Sequence, residues 1–147
     1  MRALATLLIV ISLLASCTSA TTASPEAFAE RFIQAENKAW STGDLSDLKA
    51  IEADDVVYHI PGMDITGWAA HEKYIQDGRA VVSDLKQTWK YLSGEGNHFV
   101  LSYESTAVVR PDPAKPAVSM ANNFLCAFRT RNGKIAEVWM NGSSTTK

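Results

Sequence analysis

The sequence predicts an α+β domain, with three N-terminal helices packed on one face of a curved, mostly antiparallel sheet. Apolar residues recur at helical spacing through most of the first half of the chain. Long segments of alternating apolar and polar residues, separated by turn signals, fill the second half. Helices followed by a run of strands are typical of α+β domains, in which helices collect on one face of the sheet.

Each predicted helix has a recognisable beginning or end. Residues 24–26, Ser-Pro-Glu, combine a capping serine, a first-turn proline and an acid near the positive helix end, and Gly43 ends this first helix. Asp44 can cap a short second helix over 44–52. A third helix is expected from Gly67 to about Gly78.

The predicted strands are one early segment and a later meander. The early strand, DVVYHI at 55–60, is ended by a Pro-Gly pair. Four more are expected at 84–93, 98–109, 118–129 and 135–140. A turn at 94–97 and an Asn-Gly hairpin at 132–133 join neighbours, and the proline-rich segment 110–116 forms a loop. Such short connections favour antiparallel pairing.

The N-terminus has the pattern of an export signal. A positive Arg2 precedes an apolar run at 3–15 that is too short to cross a membrane. The segment LASC at 14–17 resembles a bacterial lipobox, which implies a signal peptide at 1–16, lipidation of Cys17 and a polar tether at 17–24. Thr18 after the cysteine implies an outer-membrane lipoprotein facing the periplasm if the host has two membranes. The alternative is ordinary cleavage after Ala20.

Composition narrows the function classes. The net charge of −2, from 14 basic and 16 acidic residues, excludes a strongly basic nucleic-acid binder. Beyond the N-terminal run no segment is apolar enough to span a membrane, so membrane contact is expected through the lipid anchor only. If Cys17 is lipidated or removed, Cys126 lacks a disulfide partner and is expected in the core. Walker-type, HExxH and CxxC motifs are absent, so no cofactor is expected.

Several motifs in order resemble the SnoaL-like group of the nuclear transport factor 2-like superfamily. They are Trp40 with GDL at 43–45, ADDVVYHIPG at 53–62, SDLKQTWKYLSGEGNHFVLSY at 83–103, and FLCAFRTRNGKIAEVW at 124–139. The resemblance covers nearly all of 25–147 and implies a cone-shaped domain whose sheet wraps around the helices and leaves an apolar pocket. It also implies a homodimer through the outer sheet face.

Three catalytic sets of these relatives have no counterpart in this chain. Polyketide cyclases resembling it use an aspartate late in the last strand, where residues 138–141 read VWMN, and a histidine on the preceding strand, where 118–129 has none. Ketosteroid isomerases use an aspartate at the position of Ile60. No match to the aspartate–arginine–aspartate set of limonene-epoxide hydrolases is found.

Two ionisable residues remain as catalytic candidates. His59 lies in the strand before the Pro-Gly turn, where it could contact a ligand, transfer a proton or be satisfied in the core. Glu137 could be a base with a raised pKa, or could pair with Lys134 or Arg129. His59 and His71 with Asp64 or Glu72 match no recognised ligand spacing, so no metal is expected.

The predicted ligand pocket combines aromatic rings with a few polar groups, as small-molecule pockets do. Alternation allows only one of Asn122 and Asn123 to face inward. The expected lining residues are His59, Trp40, Trp68, His71, Tyr74, Trp89, Asn122 and Asn141.

These observations predict a lipid-anchored domain that binds a small apolar molecule in a cone-shaped pocket, without established chemistry. The first alternative is a cyclase or isomerase that acts on an enolisable carbonyl compound with His59 as acid and base. The second is a module that dimerises or docks an envelope protein through its outer sheet face. The first two functions need an open pocket, whereas the third tolerates a filled one.

Overall fold

The computed structural model describes residues 24–147, in which three helices precede most of the sheet. They are α1 at Pro25–Thr42, α2 at Ser46–Ile51 and α3 at Trp68–Val81. The Ser24 hydroxyl accepts a hydrogen bond from the amide of Ala27, and Gly43 closes α1 in the left-handed region at φ 82°. The expected caps of α1 therefore form. The N-cap of α2 is Leu45, without a side-chain hydrogen bond, whereas Asp44, the predicted cap, lies one residue earlier and accepts a hydrogen bond from the amide of Ser46.

Six strands form one sheet. They are β1 at Glu52–Ile60, β2 at Met63–Thr66, β3 at Val82–Glu95, β4 at His98–Val109, β5 at Val118–Arg131 and β6 at Lys134–Thr146. Their order is β2-β1-β6-β5-β4-β3. All neighbours are antiparallel except β1 and β6, which are parallel. The α+β fold class predicted from the sequence is confirmed.

The observed elements include one strand that was not predicted, and others end at different residues than predicted. The strand β2 was not predicted, because its four residues alternate too briefly to distinguish it from the loop before α3. The last strand continues six residues beyond the predicted end at 140, since Asn141 to Thr146 pair with β5 despite their polarity. Helix α3 ends at Val81 rather than Gly78, and Gly78 lies inside it against the Trp40 ring.

The core lies between α1 and the inner face of the sheet. Phe32 of α1 is fully buried, and its ring contacts Phe128 of β5 and Trp89 of β3 at centroid distances of 4.7 and 5.4 Å. Phe99 stacks on Phe128 at 4.5 Å. This aromatic packing holds α1 and α3 over the sheet, with a space between them.

Within residues 24–147, no helix is long and apolar enough to cross a membrane.

Candidate functional site

A cavity of about 530 Å³ lies between α1, α3 and the inner face of the sheet. Its volume falls in the range of small-molecule pockets, roughly 300–1,000 Å³. Apolar and aromatic side chains make most of its wall, and β4, β5 and β6 supply inward-facing residues at every second position. The wall of the cavity is therefore largely apolar.

Five of the expected pocket residues line this cavity. Trp40 comes from α1, His71 and Tyr74 from α3, Trp89 from β3 and Asn122 from β5. Asn122 faces inward while Asn123 is exposed on the other side, as strand alternation requires. Whether any of them contacts a ligand stays a prediction.

The structure corrects the expected position of His59, which lies on the outer face of the sheet. The inner face of β1 carries Val56 and Tyr58, which are 0% and 3% exposed, so His59 must point the other way. Its Nδ1 lies 3.0 Å from Asp64 Oδ1, its Nε2 lies 3.1 Å from Glu137 Oε1, and its ring stacks on Trp139. His59 therefore cannot act on a molecule inside the cavity.

Glu137 also lies outside the cavity and forms an ion pair with Arg129, one of the two partners that the sequence suggested. The hydrogen bonds from Arg129 and then from His59 lower the pKa of Glu137. A carboxylate whose ionised form is stabilised by two hydrogen-bond donors is a poor general base. The outer-face group of Arg129, Glu137, His59 and Asp64 is thus a surface ion-pair network.

Two further expected pocket residues lie elsewhere. Trp68, at the first turn of α3, is buried in the core and contacts the edge of His71 at 6.2 Å. Asn141 is exposed and lies opposite Leu125 on the outer face. Trp68 supports the cavity wall from behind, whereas Asn141 has no part in it.

A buried polar cluster stands behind one wall of the cavity. The carboxylate of Glu52, 1% exposed, accepts a hydrogen bond from the Tyr58 hydroxyl at 2.5 Å and one from His71 Nδ1 at 2.9 Å. A carboxylate can only accept here, so Nδ1 of His71 carries the proton. Within the described residues, no hydrogen bond joins Nε2 of His71 to another side chain. The cluster therefore fixes an imidazole at the cavity wall.

Glu36 is a second buried carboxyl group and lines the cavity directly. Its Oε2 atom is buried without a hydrogen-bond partner in the described part of the chain. Burial raises the pKa of Glu36 from its ordinary value of 4.5 to about 7. The charge of Glu52 adds to this increase, whereas the charge of His71 and a hydrogen bond from the Trp40 indole reduce it. This carboxyl group therefore changes its charge near neutral pH.

The pKa of His71 is set by opposing effects. Burial lowers it, but the hydrogen bond to Glu52, together with the charges of Glu52 and Glu36, raises it above its ordinary value of 6.5. An imidazole oriented by a carboxylate can take up or release a proton at its second nitrogen. His71 and Glu36 could thus exchange a proton with a bound molecule.

Polar groups also occur on the sheet side of the cavity. The Asn122 amide donates to the Ser105 hydroxyl at 2.9 Å, and both residues line the cavity. Burial raises the pKa of Tyr103 to about 12, so its phenol stays protonated. Burial likewise raises the pKa of the Cys126 thiol to about 12, which leaves it unreactive and matches the expected core role.

The site residues predicted from the sequence do not include Glu36, Glu52 or Tyr58. A signal for Glu36 exists, because it falls within the apolar stripe of α1, next to Ala35 and four residues after Phe32. Glu52 lies between Ile51 and Ala53, and nothing comparable in the sequence indicates that its side chain is buried. Its partner His71 lies 19 residues away and is brought to it only by the fold.

Comparisons with solved structures agree on the fold. An NTF2-like protein from Burkholderia xenovorans is 18% identical, with a TM-score of 0.62 over 78% of this chain and 90% of that one. A candidate polyketide cyclase from Xanthomonas campestris pv. campestris is 23% identical, with a TM-score of 0.57 over 78% of this chain and 90% of that one. An LEH-like epoxide hydrolase from M. tuberculosis is 15% identical, with a TM-score of 0.61 over 79% and 83%.

Sequence comparison identifies the family. No curated protein matches the chain significantly. The family model of the SnoaL-like domain matches residues 29–138, which span α1 to the middle of β6 and include nearly every residue that lines the cavity. The chain therefore belongs to the SnoaL-like domain family.

Proposed function

We propose that this SnoaL-like domain binds a small, largely apolar molecule that carries at least one polar group. The observation that carries this proposal is the cavity of about 530 Å³, in whose mostly apolar wall the buried Oε2 atom of Glu36 has no hydrogen-bond partner among the described residues. Apolar walls supply the affinity of such sites and a few polar groups fix the orientation of the ligand.

Filling the cavity tests the proposal. Ala107 of β4 lines the cavity, so Ala107→Phe should reduce the affinity for an apolar probe such as isobutylbenzene by about tenfold or more. The matched control, Ala121→Phe, places the same ring at an exposed position on β5 and should leave the affinity unchanged. Isothermal titration measures both, and circular dichroism checks folding. Equal affinities in the two variants would show that the probe does not occupy the cavity.

The Glu52–His71 pair favours proton transfer as a second candidate function, on an enolisable carbonyl compound. Nε2 of His71 would remove the proton, in place of His59, which lies outside the cavity. The test is exchange of deuterium from solvent into propiophenone, followed by mass spectrometry. Exchange that disappears in His71→Asn supports this function, and the absence of exchange in the unmodified protein removes it.

The outer sheet face supports dimerisation as a further part of the proposal. Leu125 and Trp139 are 51% and 39% exposed there, on adjacent strands. A second copy would remove this apolar surface from water. Sedimentation at a protein concentration on the order of tens of micromolar should show a dimer, and Leu125→Lys should shift the protein toward the monomer. If the unmodified protein is a monomer at this concentration, the dimer proposal is wrong.

We also propose that the domain is held at a membrane by lipid on Cys17, which lies outside the described residues. The LASC segment at 14–17 supports this proposal. Cys17→Ser should move the protein from the membrane fraction to the soluble fraction, or leave an uncleaved precursor. Radioactive fatty acid should label the unmodified chain and not the variant, and an unlabelled unmodified chain would contradict lipidation.

A further inference from the structure

We propose that the ligand of the cavity is a protonated amine with an apolar body, and that its ammonium group pairs with Glu36. This inference deepens the proposed binding function and depends on it. It names the chemical class of the ligand and the residue that selects it.

The first argument is the balance of buried charge beside the cavity. Two carboxyl groups, Glu36 and Glu52, are 6% and 1% exposed, and His71 is the one buried basic group among the described residues that contacts either. His71 already donates to Glu52. When Glu36 is ionised, His71 and the Trp40 indole stabilise its charge in part, but His71 is hydrogen-bonded to Glu52 and no cation in the described residues is hydrogen-bonded to Glu36. A buried ion without such a partner is strongly disfavoured in a protein interior. A cationic ligand would supply the missing charge.

The second argument is the hydrogen-bonding capacity of Glu36. Its Oε2 atom is buried and unpartnered in the described chain. An ionised carboxylate only accepts hydrogen bonds, so the complementary ligand group is a donor. A protonated amine offers both the donor and the charge, and charge-assisted hydrogen bonds of this kind are stronger than neutral ones.

The third argument is the aromatic content of the wall. Trp40, Tyr74, Trp89 and Tyr103 all line the cavity, together with Tyr58 beside His71. The faces of such rings attract alkylammonium groups, and the attraction is largest where water is excluded. The same rings accommodate an apolar body. Carboxylate and aromatic faces together therefore favour an alkylated amine over an anion or a neutral hydrocarbon.

The groups around Glu36 set the pH dependence of amine binding. The ionisable groups that face Glu36 come from three parts of the fold. They are His71 and Tyr74 of α3, Glu52 and Tyr58 of β1, and Tyr103 and Cys126 of the sheet. Asp77 of α3 also lines the cavity, but its carboxylate is paired with Lys73. The phenols and the thiol titrate far above neutral pH. As pH rises, Glu36 becomes ionised and His71 loses its positive charge, and both changes favour a cation.

The test compares two probes of nearly equal shape, N,N-dimethylbenzylamine and its uncharged isostere isobutylbenzene, by isothermal titration of the full-length chain. We expect the amine to bind roughly tenfold more tightly, the effect of one charge-assisted hydrogen bond. Amine affinity should increase from about pH 5.5 to about pH 8.5, across the titration of Glu36. The affinity for isobutylbenzene should not change with pH.

Two variants assign the effect to Glu36. Glu36→Gln should lose the roughly tenfold preference for the amine and keep its affinity for isobutylbenzene. The control Glu30→Gln removes an exposed acid from the same helix and should behave as the unmodified protein. Isobutylbenzene binding as tightly as the amine, or an unchanged amine preference in Glu36→Gln, overturns the amine inference alone. If neither probe binds, the proposed binding function fails with it.

Discussion

Glu52→Ala is expected to lower the free energy of unfolding by about 3–5 kcal/mol, the cost of removing one partner from a buried charged pair. The Glu52 carboxylate is the acceptor for both the Tyr58 hydroxyl and His71 Nδ1, and all three groups are buried. Without it, two buried donors lose their partner at once. The alanine also leaves a void, because the buried side chain of Glu52 lies in contact with Tyr58 of β1 and His71 of α3.

Urea denaturation followed by circular dichroism measures this loss. The control is Asp55→Ala, which removes the partner of Arg131 from an ion pair whose side chains are 68% and 48% exposed. Exposed pairs contribute about 0–1 kcal/mol, so the control should unfold close to the unmodified protein. Similar losses in Glu52→Ala and Asp55→Ala would mean that the buried cluster contributes no more than a surface ion pair.

The fold was predictable because its signals are local or repeat regularly along the chain. Ser24 and Gly43 mark the ends of α1 through groups only a few residues apart. The meander from β3 to β6 follows from alternation and short turns. The parallel pairing of β1 with β6 has no local signal, since it joins residues about as far apart as Tyr58 and Val138.

The site was only partly predictable, because a strand's alternation does not reveal which of its two faces is inside. His59 and Tyr58 are neighbours in β1, and the sequence separates them onto opposite faces. The ionisable residue was chosen as the pocket group, but the apolar neighbours Val56 and Tyr58 determine which face is buried. Burying Val56 and Tyr58 removes more apolar surface from water than burying Val57 and His59 would, since a tyrosine ring is larger and less polar than an imidazole.

The aromatic part of the pocket was easier to predict than its charged part. Trp40 and Trp89 follow the periodic apolar faces of α1 and β3, so they point inward with those faces. Glu36 breaks the pattern of the face on which it lies, and a pattern-based reading assigns a lone acid to the solvent. An acid that interrupts a buried helix face is therefore a candidate functional group that a search for motifs overlooks.

Glu36→Gln is expected to stabilise the unliganded protein above neutral pH. Burial raises the pKa of Glu36 from 4.5 to about 7, so between these values the folded chain holds a proton that the unfolded chain has released. The free energy of unfolding therefore falls as pH rises through this interval, by about 3 kcal/mol at most. Glutamine is neutral at every pH and avoids this loss.

Denaturant unfolding of both proteins at about pH 5 and about pH 8.5 measures the difference and cancels the contributions that they share, including that of His59. The contribution of His71 forms part of the difference, because the charge of Glu36 raises the pKa of His71. The two should be similar in stability at the lower pH, and the variant more stable by about 2–3 kcal/mol at the higher one. A stability difference that is the same at both pH values would show that Glu36 does not titrate between them. The expected gain above neutral pH, combined with loss of amine binding, would identify Glu36 as a residue that destabilises the empty domain and is satisfied by its ligand.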